Sequence, residues 1–138
     1  MIFEEKLKHI LFSSEFCGPE SFTLSANQST TVNLTSPLWP RRYPTDKSCD
    51  WSVTAHDNGT TILTFLYFDT KINQHYFSVG YGLSLSADTS VFRLSGRNMP
   101  KTVRVDGSEM WLSFSSDHET SQTGFVVQLE WAPFNRKW

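Results

Sequence analysis

Hydrophobic and polar positions alternate along most of this chain after residue 16. In Phe125–Trp131 the odd-numbered residues are large and apolar, and Gln128 and Glu130 stand between them. A period of two is typical of a β-strand with one buried face. Such alternation, or an unbroken apolar run, predicts strands over Thr60–Phe68, Tyr76–Leu85, Thr102–Val105, Met110–Phe114 and Phe125–Trp131.

One of these segments differs from the others. Thr60–Phe68 (TTILTFLYF) is apolar on both faces, which predicts a central strand of a sandwich. Polar turn signals separate the segments, and no long helical pattern follows Phe16. The chain is therefore predicted to be all-β, a sandwich or a barrel. The turn signals are 57–59, 86–89, 96–100, 106–107 and 117–124.

Residues 1–16 stand apart from this pattern. Phe3, Leu7, Ile10 and Leu11 lie at helical spacing, so a short amphipathic helix is one interpretation and a linker or expression remnant is the other. Charged residues interrupt the apolar run that a signal peptide needs. We expect a domain over 17–132, an N-terminal lead over 1–16 and a C-terminal tail over 133–138.

Composition narrows the class of protein. The 138 residues carry a net charge of −2, with 19% charged and 14% aromatic residues. This balance favours a folded domain over a disordered chain, and it provides no basic field for nucleic acid. No apolar run reaches the ~18–20 residues of a membrane-spanning helix.

The two cysteines and three glycosylation sequons bear on the compartment. The sequons begin at Asn27, Asn33 and Asn58, each in a polar segment, and together they indicate an extracellular chain. In that compartment Cys17 and Cys49 would form a disulfide, whereas two unrelated buried thiols are the alternative.

No motif indicates catalysis. The histidines have no metal-ligand spacing, and no G-x-S-x-G segment is present. Asp117-His118-Glu119 concentrates acid and imidazole, but no nucleophile accompanies it in the sequence, so a solvated turn is the simpler interpretation. We expect a non-enzyme.

Several segments, in order along the chain, resemble the CUB domain family. The match covers most of the chain, from about Cys17 to Trp131, and the order of its motifs makes it specific. The segments are 36–44 (SPLWPRRYP), 49–51 (CDW), 65–69 (FLYFD), 94–96 with Pro100, 114–117 (FSSD) and 124–125 (GF). The resemblance implies a jelly-roll β-sandwich of two antiparallel sheets. It also implies a non-catalytic, extracellular module that binds proteins.

The chain departs from the family where a second disulfide and a calcium site are typical. Gln74 and Ser95 occupy the positions of the second cysteine pair. Lys71 and Phe77 fall at or near positions of two acidic calcium ligands, and Asp117 is the acid that remains. Calcium prefers six or more oxygen ligands, so we expect no metal or other cofactor, although Asp69 is a candidate substitute ligand. We hypothesise that Lys71 pairs with Asp117 in place of the ion; an ordinary surface lysine is the alternative.

These features predict a recognition module of a larger secreted or membrane-anchored protein. Arg41, Arg42 and Tyr43 are the candidate binding residues, because prolines frame their loop and would hold it rigidly. One alternative is a spermadhesin-like or lectin-like domain that binds glycans or glycosaminoglycan. Another is a structural spacer beside a protease or receptor domain.

Overall fold

The chain forms two β-sheets and no long helix within the part that is described. A computed structural model describes residues 17–27 and 31–133. One sheet has the order β1-β3-β8-β5-β6 and the other β2-β9-β4-β7. The strands are β1 (Ser21–Leu24), β2 (Val32–Thr35), β3 (Ser48–Ala55), β4 (Gly59–Asp69), β5 (Tyr76–Tyr81), β6 (Ser90–Leu94), β7 (Thr102–Val105), β8 (Glu109–Ser115) and β9 (Gly124–Pro133), and a 3-10 turn spans Ala87–Thr89.

The two sheets pack face to face around an aromatic core, as the alternation predicts. Phe125 of β9 meets three rings of the opposite sheet, with centroid distances of 5.0 Å to Phe77, 5.1 Å to Phe114 and 6.5 Å to Trp51. All four side chains are buried. Edge-to-face pairs of this kind add to the stability from burial alone. The predicted all-β sandwich is confirmed.

Strand β4 is central in its sheet, between β9 and β7, as predicted. Two of its apolar side chains are nevertheless exposed. A bulge between Phe65 and Tyr67 shifts the register, and Leu66 and Tyr67 are 51% and 39% exposed. Bulges insert a residue and re-aim the side chains that follow, which period-two reasoning does not anticipate.

Two further differences concern strand pairing and strand length. The five-stranded sheet is mixed, because β1 pairs with β3 in parallel, with Ser21 beside Ser52. Strand β5 ends at Tyr81 rather than Leu85, and β9 continues to Pro133, where the tail is expected to begin. The interpretation of 1–16 as a helix or lead falls outside the described residues, as does the rest of the tail.

The predicted disulfide joins Cys17 to Cys49. It ties the segment before β1 to the start of β3, and the Trp51 indole Nε1 donates to the Cys17 carbonyl at 3.0 Å. Trp51 points into the core while Asp50 is exposed, as the alternation on this strand predicts. Within the described residues, the structure contains no helix with the length and hydropathy to cross a membrane.

Candidate functional site

Four connections meet at one end of the sandwich, which we call the loop end. They are 36–47, 70–75, 95–101 and 116–123. The pairing registers bring them together, because Ser48 and Tyr76 both lie beside Ser115, and Asp69 lies beside Gly124. Connections at one end of a rigid sandwich are a common place for binding residues.

A hydrogen-bonded chain, buried at Tyr43 and His75 and part-exposed at Asp117, joins three of these connections. The Tyr43 hydroxyl lies 2.7 Å from His75 Nδ1, and His75 Nε2 lies 2.7 Å from Asp117 Oδ1. Tyr43 is 1% exposed and His75 is fully buried. Because one residue comes from each connection, this Tyr43–His75–Asp117 chain cross-links the loop end.

The neighbouring hydrogen bonds decide which nitrogen of His75 carries the proton. The backbone N–H of Lys71 donates to the Tyr43 hydroxyl oxygen at 3.1 Å. The Tyr43 O–H then donates to His75 Nδ1, and the His75 Nε2–H donates to Asp117 Oδ1. With this neutral tautomer, the Tyr43 hydroxyl, both ring nitrogens of His75 and Asp117 Oδ1 each have a hydrogen-bond partner. Among the described residues, no buried side-chain nitrogen or oxygen lacks a partner.

The two ends of the Tyr43–His75–Asp117 hydrogen-bonded chain differ in charge. The backbone N–H of Glu119 donates to Asp117 Oδ1 at 2.9 Å. This bond and the one from His75 lower the pKa of Asp117, because they favour its charged form. Burial raises the pKa of the Tyr43 hydroxyl, because its anion would be poorly solvated. Asp117 is thus held as a carboxylate and Tyr43 as a neutral phenol.

Tyr43, His75 and Asp117 follow the hydroxyl–imidazole–carboxylate order of a catalytic relay. Their geometry is that of a cross-link between connections. A nucleophile must reach its substrate, and the Tyr43 hydroxyl is buried against backbone and His75. His118 of the neighbouring Asp117-His118-Glu119 turn is 80% exposed and lies 3.4 Å from Glu119 Oε2.

The residues at the expected calcium positions do not fit that ion. Phe77 is fully buried in the aromatic core, and Asp117 Oδ1 already accepts two hydrogen bonds. Asp69, the candidate substitute ligand, is 8% exposed and lies 3.4 Å from Arg97. No group of three or more His, Cys, Asp or Glu side chains within 17–27 and 31–133 is placed to hold a metal ion. We therefore derive no role for calcium at this site.

The hypothesis that Lys71 pairs with Asp117 is wrong. Asp117 Oδ1 accepts a hydrogen bond from His75 Nε2, and Lys71 has no carboxylate within 4.0 Å among the described residues. The Lys71 backbone takes part instead, through its N–H bond to Tyr43. Sequence reasoning missed His75, because a single histidine just before a strand carries no spacing signal.

The candidate binding residues separate into surface and interior. Arg41 and Arg42 are exposed at the loop end, and the Arg42 guanidinium donates to the Ser121 carbonyl at 2.5 Å. Tyr43 is buried, so its ring is not available to a partner, and its inclusion among the contact residues was wrong. Its role is to hold the loop that carries the two arginines.

The loop end is basic although the whole chain is acidic. Its four connections contain six Lys or Arg and three Asp or Glu, whereas the chain as a whole has a net charge of −2. A pocket of about 430 Å³ is lined by Lys71 and Gln122 and by the paired side chains of Asp69 and Arg97. This concentration of cations favours a ligand with negative charge.

Two of the three sequon asparagines lie at the end of the sandwich opposite the loop end. All three are exposed. Asn27 follows β1 and Asn58 lies in the β3–β4 turn, both at the opposite end of the sandwich. Asn33 lies on the edge strand β2.

These features define a class: a disulfide-tied β-sandwich with a cross-linked loop end. The sequence model of the CUB domain matches residues 17–129, and the chain belongs to this family. Human tolloid-like protein 2 is 34% identical over 95 residues, which is 67% of this chain and 9% of that protein. Rat procollagen C-endopeptidase enhancer 1 is 30% identical over 124 residues, which is 86% of this chain and 25% of that protein.

Solved structures show the same fold. The CUB1-EGF-CUB2 region of human MASP-1/3 superposes with a TM-score of 0.69 and 20% sequence identity, over 84% of this chain and 42% of that one. This likeness confirms the CUB-type jelly-roll sandwich. The chain spans a quarter or less of the length of the two curated relatives above.

Proposed function

We propose that this chain is a non-catalytic protein-recognition module of an extracellular protein and that it binds an acidic partner through the loop end. The observation that carries the proposal is the Tyr43–His75–Asp117 chain, which holds three connections in one arrangement. Preorganised loops lose less entropy on binding than mobile ones do.

The surface chemistry of the loop end supports this proposal. Arg41 and Arg42 project from a proline-framed connection, and the Arg42 bond to Ser121 joins that connection to 116–123. Arginine pairs well with carboxylates because its planar fork matches their geometry. Glycans at Asn27 and Asn58 would lie at the opposite end of the sandwich and leave this surface open.

The family and the covalent chemistry support an extracellular setting. CUB domains of the tolloid and enhancer proteins are interaction modules, and the disulfide between Cys17 and Cys49 is stable in an oxidising compartment. We place the chain in a larger secreted or membrane-anchored protein, as a domain over 17–132.

The test is binding of the immobilised chain to a panel of purified extracellular ectodomains, measured by surface plasmon resonance. We expect saturable binding to at least one acidic ectodomain. Arg41→Gln/Arg42→Gln should weaken it roughly tenfold, mainly through faster dissociation. The matched control is Arg93→Gln/Arg104→Gln, which removes the same charge outside the loop end and should bind as wild type.

A heparin column distinguishes the glycan alternative from the proposal. Retention near physiological salt, lost in the Arg41→Gln/Arg42→Gln variant and unaccompanied by protein binding, would indicate a glycosaminoglycan-binding domain. No saturable binding to either class of ligand would indicate a structural spacer. Either result overturns the proposal.

A further inference from the structure

A groove of about 340 Å³ crosses the outer face of the five-stranded sheet. One wall is apolar and comes from the β5–β6 connection. The other is acidic and comes from the chain before β1 and the start of β3. The residues that line the groove are Glu20, Asp50, Trp51, Ser52, Leu83, Leu85 and Trp111.

The floor of the groove is fixed by a packed indole. Trp111 points outward from β8 beside Gly80 of β5, and a Cβ at residue 80 would overlap its ring. The indole Nε1 donates to Thr89 Oγ1 at 2.9 Å, so the β5–β6 connection is tied onto the sheet face. Trp111 is 4% exposed, and the groove floor is therefore a firm surface.

The apolar wall leaves two leucines in solvent. Leu83 is 46% exposed and Leu85 is 53% exposed, and Tyr81 and Val91 at the ends of the same connection are 50% and 40% exposed. Of these four residues, Leu83 and Leu85 line the groove. A contiguous apolar patch marks an interaction surface more often than single exposed residues do.

The acidic wall lies across the groove from the leucines. Glu20 and Asp50 are exposed, and Ser52 N–H donates to the Glu20 carbonyl at 2.9 Å, which fixes the position of Glu20 beside β3. Within the described ranges, neither carboxylate has a Lys, Arg or His partner closer than 4.0 Å. The groove therefore has two negative charges that the fold does not neutralise.

We propose that this groove binds a segment of a partner protein in which lysine or arginine alternates with aliphatic residues. The aliphatic side chains, and the stems of the basic ones, would pack on Leu83 and Leu85, and the cationic ends would pair with Glu20 and Asp50. The inference depends on the proposed recognition function only in requiring a protein partner. The groove is lined by residues outside the four loop-end connections, and its charged residues are acidic whereas the loop end is basic.

The experiment uses three synthetic peptides and NMR of the isotope-labelled chain. The probes are acetyl-Leu-Arg-Leu-Lys-Leu-amide, its acidic counterpart with Glu and Asp, and its polar counterpart with Ser in place of Leu. We expect saturable shifts of the Leu83 and Leu85 methyl groups and of the Trp111 indole N–H with the first peptide alone. A short peptide on this small surface should bind with a Kd on the order of 1 mM.

Two pairs of substitutions identify the walls. Leu83→Ser/Leu85→Ser should abolish the shifts, and Glu20→Gln/Asp50→Asn should weaken binding roughly tenfold at low salt. All four side chains are at the surface, so folding can be checked by the unchanged methyl spectrum of the core.

The matched controls are Leu66→Ser/Ile72→Ser and Asp106→Asn/Glu130→Gln, whose positions do not line the groove. Both should bind the first peptide as wild type.

Four outcomes overturn the inference. They are equal shifts with the acidic peptide, equal shifts with the serine peptide, no shift with any peptide, and loss of binding in either control. Concentration-dependent broadening of the same leucine signals without peptide would show that a second copy of this chain occupies the groove. Because the Arg41→Gln/Arg42→Gln assay concerns a different surface, failure here leaves the loop-end proposal standing.

Discussion

Replacing Tyr43 by Phe removes one hydroxyl from the centre of the cross-linked loop end and leaves the ring in place. The ring contacts with Phe114, at 4.9 Å between centroids, and with His75 are retained. What is lost is the acceptor for the Lys71 N–H and the donor to His75 Nδ1. The substitution therefore tests the hydrogen bonds separately from the packing.

The expected loss of stability follows from the burial of the groups left behind. A buried polar group without a partner costs about 1–3 kcal/mol. His75 Nδ1 is fully buried and bears most of that cost, and the part-buried Lys71 N–H adds less. We expect a decrease of about 2–3 kcal/mol in the free energy of unfolding. For a domain of this size that corresponds to a Tm lower by roughly 10 °C.

The measurement is urea unfolding followed by circular dichroism, with thermal scans of the same samples. Tyr67→Phe is the matched control. Tyr67 is 39% exposed, and its hydroxyl is not part of the Tyr43–His75–Asp117 hydrogen-bonded chain. Its stability should stay within about 0.5 kcal/mol of wild type. Lys71→Met should also have little effect, because it keeps the backbone N–H that Tyr43 uses.

Coupling through His75 gives the sharper test. Because Tyr43 and Asp117 both act on the same imidazole, Tyr43→Phe and Asp117→Asn together should cost clearly less than the sum of the two single changes. Additive effects, or a Tyr43→Phe variant as stable as Tyr67→Phe, would refute the cross-link.

Four further predictions concern acid, calcium, the disulfide and one glycine. Because the pKa of Asp117 is lowered in the folded chain, its carboxylate stabilises the fold above the unfolded-state pKa, and this contribution is lost as the pH falls through the folded-state value. The stability difference between wild type and Asp117→Asn should thus be constant down to about pH 4 and disappear below it; a difference that persists in acid contradicts this. Thermal unfolding in millimolar calcium and in excess EDTA should give the same Tm, whereas a higher Tm in calcium would mean that the ligand-set argument fails. Cys17→Ser/Cys49→Ser should lower the free energy of unfolding by about 3–4 kcal/mol relative to the oxidised wild type. The stability of this variant should not change when a reductant is added. Gly124→Ala should destabilise by more than about 2 kcal/mol, because residue 124 has φ 109° and a Cβ would overlap the Ser36 hydroxyl, and a wild-type Tm would contradict the close approach.

Much of the fold is readable from local patterns. Thr102–Val105 is predicted and observed with the same bounds, and the inward Trp51 and outward Asp50 follow directly from strand alternation. These succeed because side-chain direction in a strand has a period of two, which the sequence expresses residue by residue. The short edge strands β1, β2 and β6 are not among the predicted strands, although β7, an edge strand with the burial pattern of β1, is.

The sequence by itself determined the family and the sandwich class. Only the tertiary structure placed His75 between Tyr43 and Asp117, 32 and 42 residues away along the chain. It also decided that β1 runs parallel to β3 and that the β4 bulge exposes Leu66. Local sequence encodes the direction and burial of neighbouring residues, whereas which connections meet at one end depends on the pairing of distant strands. No local sequence pattern predicts the hydrogen bonds that join those connections.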